Sequence, residues 1–218
     1  MSLLSDKQIT HLCQHHEMIT PFSPISRTDI APGLIGPSYG LSSTGYDIRL
    51  SDKWMTPVYE DESFNSTSML GLLLSGVAAK ETAYTTYRKA DDPIDPNLNV
   101  PMREVTADIV VLRPGEFALA VSIEHFKMPA DTMGICTGKS TLARMGLIVL
   151  VTPLECGWEG YLTLELFNAG AYPIHLHSGI GICQINFFKT DEVPHKSYMH
   201  RSGKYQGQKA HPVAARLG

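Results

Sequence analysis

Hydrophobic and polar positions alternate along the second half of the chain in short runs broken by turn residues. Strands are predicted at 108–113, 117–124, 133–137, 147–152, 161–168, 173–177 and 181–189, because period-two alternation lays one apolar face against a core. Arg113-Pro114-Gly115 and Ser178-Gly179 are turn signals between them. Seven short strands spaced in this way predict an antiparallel barrel, roll or sandwich, not βαβ units. Upstream, Tyr46, Ile48 and Leu50 give a further strand signal. Ser5-Asp6-Lys7-Gln8 has the form of a capping box with Ile9 and Leu12 behind it, which predicts a short helix over 5–16. Pro21, Pro24, Pro32 and Pro37, with Gly33, Gly36 and Gly40, predict a long irregular connection. From 52 to 107 the pattern weakens. Apolar content with Lys80 and Glu81 predicts a helix over 69–87, interrupted by Gly71, Ser75 and Gly76, and 91–101 reads as a turn-rich loop. The tail, 200–212, is polar and glycine-rich.

Composition narrows the function classes. A chain of 218 residues, 43% hydrophobic, buries a full core, and one domain over 1–218 is expected. A formal charge of −4 lacks the basic footprint that a nucleic-acid polymer calls for. Cys13, Cys136, Cys156 and Cys183 form no CxxC pair, so neither a zinc ribbon nor a thioredoxin-like site is supported. The start, MSLLSDKQITHL, puts an acid where a signal peptide continues its apolar run, and the apolar stretch 69–79 is too short to cross a bilayer. A soluble, reducing, cytoplasmic setting without membrane partners is expected.

The chemistry concentrates in residues 137–168, TGKSTLARMGLIVLVTPLECGWEGYLTLELFN. Lys139, Ser140, Thr141 and Arg144 lie between Gly138 and Gly146, two cations and two hydroxyls suited to an oligophosphate or another anion. Glu165 stands between Leu164 and Leu166 on an alternating strand. Such an acid is either paired, with Arg144 as the candidate partner, or functional, because an unpaired buried charge is costly. Gly138-Lys139-Ser140 is not a P-loop: that motif needs a glycine five residues before Gly138, where Met133 stands, and a strand–loop–helix context. His175 and His177 share a strand face without further ligands nearby and read as solvent-facing, as do His15 and His16. The zinc deaminase signature, H-x-E with a later P-C-x-x-C, is missing.

Four ordered blocks, SYGLSSTGYDIRL (38–50), RPGEFALAVSIEHFKMP (113–129), 135–168 and SYMHRSGKYQGQ (197–208), resemble the dCTP deaminase family of the trimeric dUTPase-like superfamily. The resemblance implies a mainly-β fold, a distorted barrel or jelly roll (β-clip) with a few short helices. It also implies a homotrimer with active sites shared between subunits. The activity implied is hydrolysis of dCTP to dUTP and ammonia, feeding dUMP and dTTP synthesis, with Mg²⁺ on the triphosphate and no zinc. Carried over, Glu165 is the catalytic glutamate, and Ser140 and Arg144 orient and stabilise. Lys139, Ser140, Thr141, Leu142, Ala143 and Arg144 form the nucleotide-binding segment. Thr163, Leu164 and Glu165 read the base; Gln184, Tyr198 and Gln208 are further substrate contacts; 195–218 is a C-terminal lid.

The physical reading agrees with those roles. One carboxylate deprotonates water and then protonates the leaving ammonia if its pKa lies nearer neutrality than about 4.3, and apolar neighbours raise it. Leu150 stands where many members carry His or Asn, which bears on substrate discrimination and on feedback by dTTP. Cys156 stands where proline is frequent, and 52–107 is enlarged. Two other functions fit the same residues. A bifunctional deaminase–dUTPase would release dUMP and pyrophosphate, although the stretch 153–158 carries Glu155 near, and no aspartate at, the position where dUTPases place an aspartate in G-[VI]-I-D-x-x-[YF]. A non-catalytic nucleotide-binding regulator would bind dCTP and release no ammonia.

Overall fold

The computed structural model describes residues 1–31, 33–58, 101–201 and 203–215. The helix α1 spans Asp6–His16 and starts as predicted: Gln8 Oε1 accepts from the Ser5 amide at 2.9 Å, while the Ser5 hydroxyl accepts from the Gln8 amide. Ile9 and Cys13, one turn apart, turn into the core.

The strands that make up most of the rest pair antiparallel. In order the strands are β1 (Ser2–Leu3), β2 (Ile19–Thr20), β3 (Arg27–Ala31), β4 (Leu34–Leu41), β5 (Tyr46–Pro57), β6 (Met102–Thr106), β7 (Ile109–Leu112), β8 (Phe117–Lys127), β9 (Thr132–Gly138), β10 (Leu147–Leu150), β11 (Glu159–Asn168), β12 (Ile174–His177) and β13 (Gly181–Lys189). A single turn of helix, α2 (Ser140–Ala143), links β9 to β10. Eleven strands form one curled sheet whose main path is β1-β13-β5-β8-β11-β10, and β12 pairs with β7 separately. All seven downstream strands fall where the alternation put them, and the mainly-β, half-barrel architecture is the one expected.

Two expectations need correction. The proline-rich stretch is not an irregular connection, because β3 and β4 pair across it. Pro37 sits inside β4, which reaches the rest of the sheet only through Gly40 and Leu41, and proline is tolerated where a strand lies at an edge. Residues 52–58 and 101–107 are not featureless either: β5 runs on to Pro57, and β6 returns beside it from Pro57↔Met102 to Lys53↔Thr106. The helix predicted over 69–87 and most of the loop 91–101 lie outside the described residues.

β11 explains how the fold presents a site. Its even-numbered residues, Leu162, Leu164 and Leu166, are buried in the core; its odd-numbered residues, Tyr161, Thr163, Glu165 and Phe167, are half-buried and face outward. Burying three leucines contributes about 2 kcal/mol each. One strand therefore anchors itself with one face and displays chemistry with the other.

Candidate active site

Glu165 has an apolar setting on the outer face. Its register partners are Leu119 on β8 and Leu150 on β10, and Leu119 pairs in turn with Met55 on β5. Residues directly opposite each other share a face, with Cβ atoms about 5 Å apart, so Met55, Leu119, Glu165 and Leu150 form a row across four strands. Glu165 Oε2 is buried without a hydrogen-bond partner. Burial pushes the Glu165 carboxyl up to about 7, opposed only by its own backbone hydrogen bond. No cation of the described residues offsets that rise, so Glu165 is not the salt-bridged core acid that sequence left open.

The segment predicted to bind the anion is a tight turn. Lys139 precedes α2 in extended conformation; Ala143 N–H donates to Lys139 C=O and Arg144 N–H to Ser140 C=O. Leu142 is buried and anchors the turn, leaving Ser140, Thr141, Ala143 and Arg144 exposed. Gly146 closes it at φ 95°, where an added Cβ would meet Gly170 at 2.4 Å, so any side chain there would collide with backbone. Lys139 itself is engaged. Its Nζ donates to Asp47 Oδ2 at 2.6 Å and to Ser38 Oγ at 3.1 Å, with only 13% and 7% of the Lys139 and Asp47 side chains exposed. Asp47, Gln184 and Thr137 are register partners across β5, β13 and β9, and Gln184 Nε2 donates to Ser42 Oγ at 3.1 Å.

The tail folds onto the first half of β11. Gly207 N–H donates to Glu159 C=O, Tyr161 N–H to Gln208 C=O, and Gly160 and Gln208 form a parallel bridge. Thr163 Oγ1 accepts from Gln208 Nε2 at 3.0 Å and from the Val213 amide at 3.2 Å. Tyr198 Oη accepts from the Tyr205 amide, and Trp158 Nε1 donates to Tyr205 C=O. Gln208 is thus held beside Thr163, two residues from Glu165 on the same outer face.

The predicted residues therefore fall into two groups. Glu165, Thr163 and Gln208 share the outer face of β11, and Leu164 is its core-side anchor. Lys139 and Gln184 share the outer face of β5–β13–β9. Gly138 faces Val149 across the interior, and Val149 is paired with core-facing Leu166, so these two outer faces look away from each other. Within one chain Glu165 and Lys139 are not brought together. Sequence reasoning missed Asp47, which carries the same signal as Glu165, an acid on an apolar alternating strand. Among the described residues no cluster of three His, Cys, Asp or Glu could hold a metal ion, and His175 is exposed. Glu155 is exposed in the loop after β10.

Comparison with known proteins agrees with this architecture. A family model described as dCTP deaminase-like matches residues 72–190. A protein of Xanthomonas oryzae pv. oryzae named dCTP deaminase is 39% identical over 210 residues, covering 95% of this chain and 96% of that protein. One of the same name from Herpetosiphon aurantiacus is 38% identical over 210 residues, with the same coverage of both. The crystal structure of 2′-deoxycytidine 5′-triphosphate deaminase from Agrobacterium tumefaciens superposes with a TM-score of 0.51 at 17% identity, spanning 84% of this chain and 47% of that one, and so speaks for the fold. By its matched family model and its near full-length relatives, this chain belongs to the dCTP deaminase-like family.

Proposed function

We propose that this chain hydrolyses dCTP to dUTP and ammonia with Glu165 as the acid–base group. The observation that carries the reading is the Glu165 carboxylate, outward-facing, with Oε2 unpartnered and its pKa near 7. A group poised near neutrality takes a proton from water and gives it back to a leaving amine. Water adds across the C4=N3 bond of the cytosine: its oxygen bonds C4, the C4=N3 electron pair moves to N3, and the Glu165 carboxylate accepts one water proton. The tetrahedral centre then collapses: C4=O forms as the remaining hydroxyl proton passes to N3, C4–N4 breaks, and the proton held by Glu165 leaves with the departing ammonia. Magnesium enters on this reading with the substrate, as Mg–dCTP, and the water is activated by the carboxylate without a protein-bound zinc.

Ser140 and Arg144 stabilise the charge that develops around C4, and Lys139 with the tail holds the triphosphate. Because Glu165 and the Lys139 group look away from each other in one chain, the complete site is formed between copies, which supports a homotrimer. Thymidine triphosphate competes for the same cleft. The four cysteines, all unpaired, suit a reducing cytoplasm.

The test is ammonia release from dCTP by the wild-type chain and by Glu165→Gln, which keeps shape and loses the base. We expect a loss of about 10²–10⁴-fold in kcat; a near wild-type rate in the variant would remove Glu165 from the mechanism. Chromatography of the product separates the functions. dUTP is expected, whereas dUMP with pyrophosphate would mark a bifunctional enzyme, and dCTP binding without turnover would mark a regulator.

A further inference from the structure

Leu150 is the exposed member of the row around Glu165. It is 60% exposed, whereas Leu119 is 7% and Met55 5% exposed on the other side. Met55 and Leu119 are further covered by Met102, with Phe117 and Ala214 packed against them. Glu165 thus has a closed apolar wall on its β8 side and a single, thin apolar wall on its β10 side. An exposed leucine on a four-residue edge strand contributes little to the core, since its inward neighbours Leu147 and Val149 face the core instead. Its place opposite the carboxylate gives it another use.

We propose that Leu150 is a positioning residue for Glu165: it forms the outer wall of an apolar slot that admits the reacting water but keeps bulk solvent and further hydrogen-bond donors off the carboxylate, and so sets the pH range in which the site works. The inference rests on Glu165 being the acid–base group. The groups facing Glu165 among the described residues are Leu119, Phe117 and Val121 from β8, Leu150 and Ile148 from β10, Thr163 and Phe167 from β11, and Gln208, Val213 and Ala214 from the tail. None of these side chains titrates; the titratable groups on that face are Glu104, register partner of Met55 on β6, and Tyr161 with its partner His125, farther along β11 and β8. The walls therefore govern the protonation of Glu165, and of the two walls only Leu150 is open to exchange without disturbing buried packing.

The test compares wild type, Leu150→Asn and Leu150→Met as intact assemblies. For each, the pH dependence of kcat/KM for dCTP is recorded from pH 5.5 to 9, and Glu165 is titrated by carboxyl ¹³C NMR. Admitting a donor beside the carboxylate is expected to lower its pKa by about one unit, so Leu150→Asn at pH 6 keeps about five times more of its plateau kcat/KM than wild type does. Leu150→Met, apolar and of similar size, is expected to leave the acid limb in place. Coincident acid limbs and coincident NMR titrations in wild type and Leu150→Asn would overturn the proposal. If wild type releases no ammonia, the deaminase reading fails, and the NMR titration alone decides whether Leu150 controls Glu165.

Discussion

Glu165 should be a burden on stability for the same reason that its carboxyl lies near neutrality. A carboxyl raised from 4.5 to about 7 binds its proton more tightly in the native state than in the unfolded chain. Its favourable contribution is complete below pH 4.5, declines as pH rises towards 7, and is lost above that. Proton linkage caps the cost of ionisation at about 3 kcal/mol; the side chain is only half-buried, and solvent screening reduces this to about 1–2 kcal/mol. Glu165→Gln keeps the shape and removes the titration. At pH 8 the variant should therefore be more stable than wild type by about 1–2 kcal/mol, equivalent to about 3–6 °C in Tm for a chain of this size. At pH 5 the gap should shrink to a few tenths of a kcal/mol. Urea or thermal unfolding at both pH values, at one protomer concentration, measures the difference. An offset that does not change between pH 5 and 8 would refute the reasoning, because it would mean that a cation or donor reaches Oε2 in the assembled protein.

Other predictions follow from the geometry. Mixing the separately inactive Glu165→Gln and Arg144→Ala chains, with subunit exchange, should restore about a quarter of wild-type ammonia release, since about one interface in four in random trimers would join two intact halves; no recovery would place the whole site in one chain. Asp47→Ala leaves the Lys139 ammonium without its partner in a nearly closed pocket and should cost about 3 kcal/mol in urea unfolding, whereas replacing both residues by apolar ones should return most of it. Thr163→Val removes the acceptor shared by Gln208 and Val213, and proteolysis of the tail at 203–213 should accelerate about ten-fold.

The legible and illegible parts of the sequence divide along physical lines. The downstream strands were readable because each carries its own alternation and its own turn residues, which are local signals. β3 and β4 were hidden because Pro37 and the surrounding glycines speak for a loop, and only pairing to a neighbour makes them strands. Glu165 was recognisable as exceptional, yet its ionic state was not: a bridge to Arg144 and an orphaned oxygen are written with the same residues. Register decides, because it sets Leu119 and Leu150 beside the carboxylate and sends the Lys139 group to another face. Lys139 is expected from sequence to meet phosphate; its hold on Asp47 joins residues 92 positions apart and leaves no trace in either local pattern.

The alternation along β11 constrains how this chain can change over generations. Core and outer surface are written on even and odd residues of the same strand, so the two are read in one frame. Replacing Thr163 or Phe167 alters only the outward text. Inserting or deleting one residue between Glu159 and Glu165 would turn the carboxylate into the interior and the leucines into water at a stroke. Lineages sharing this site can therefore drift in letter while staying fixed in spacing along β11, and changes of length are confined to the connections on either side.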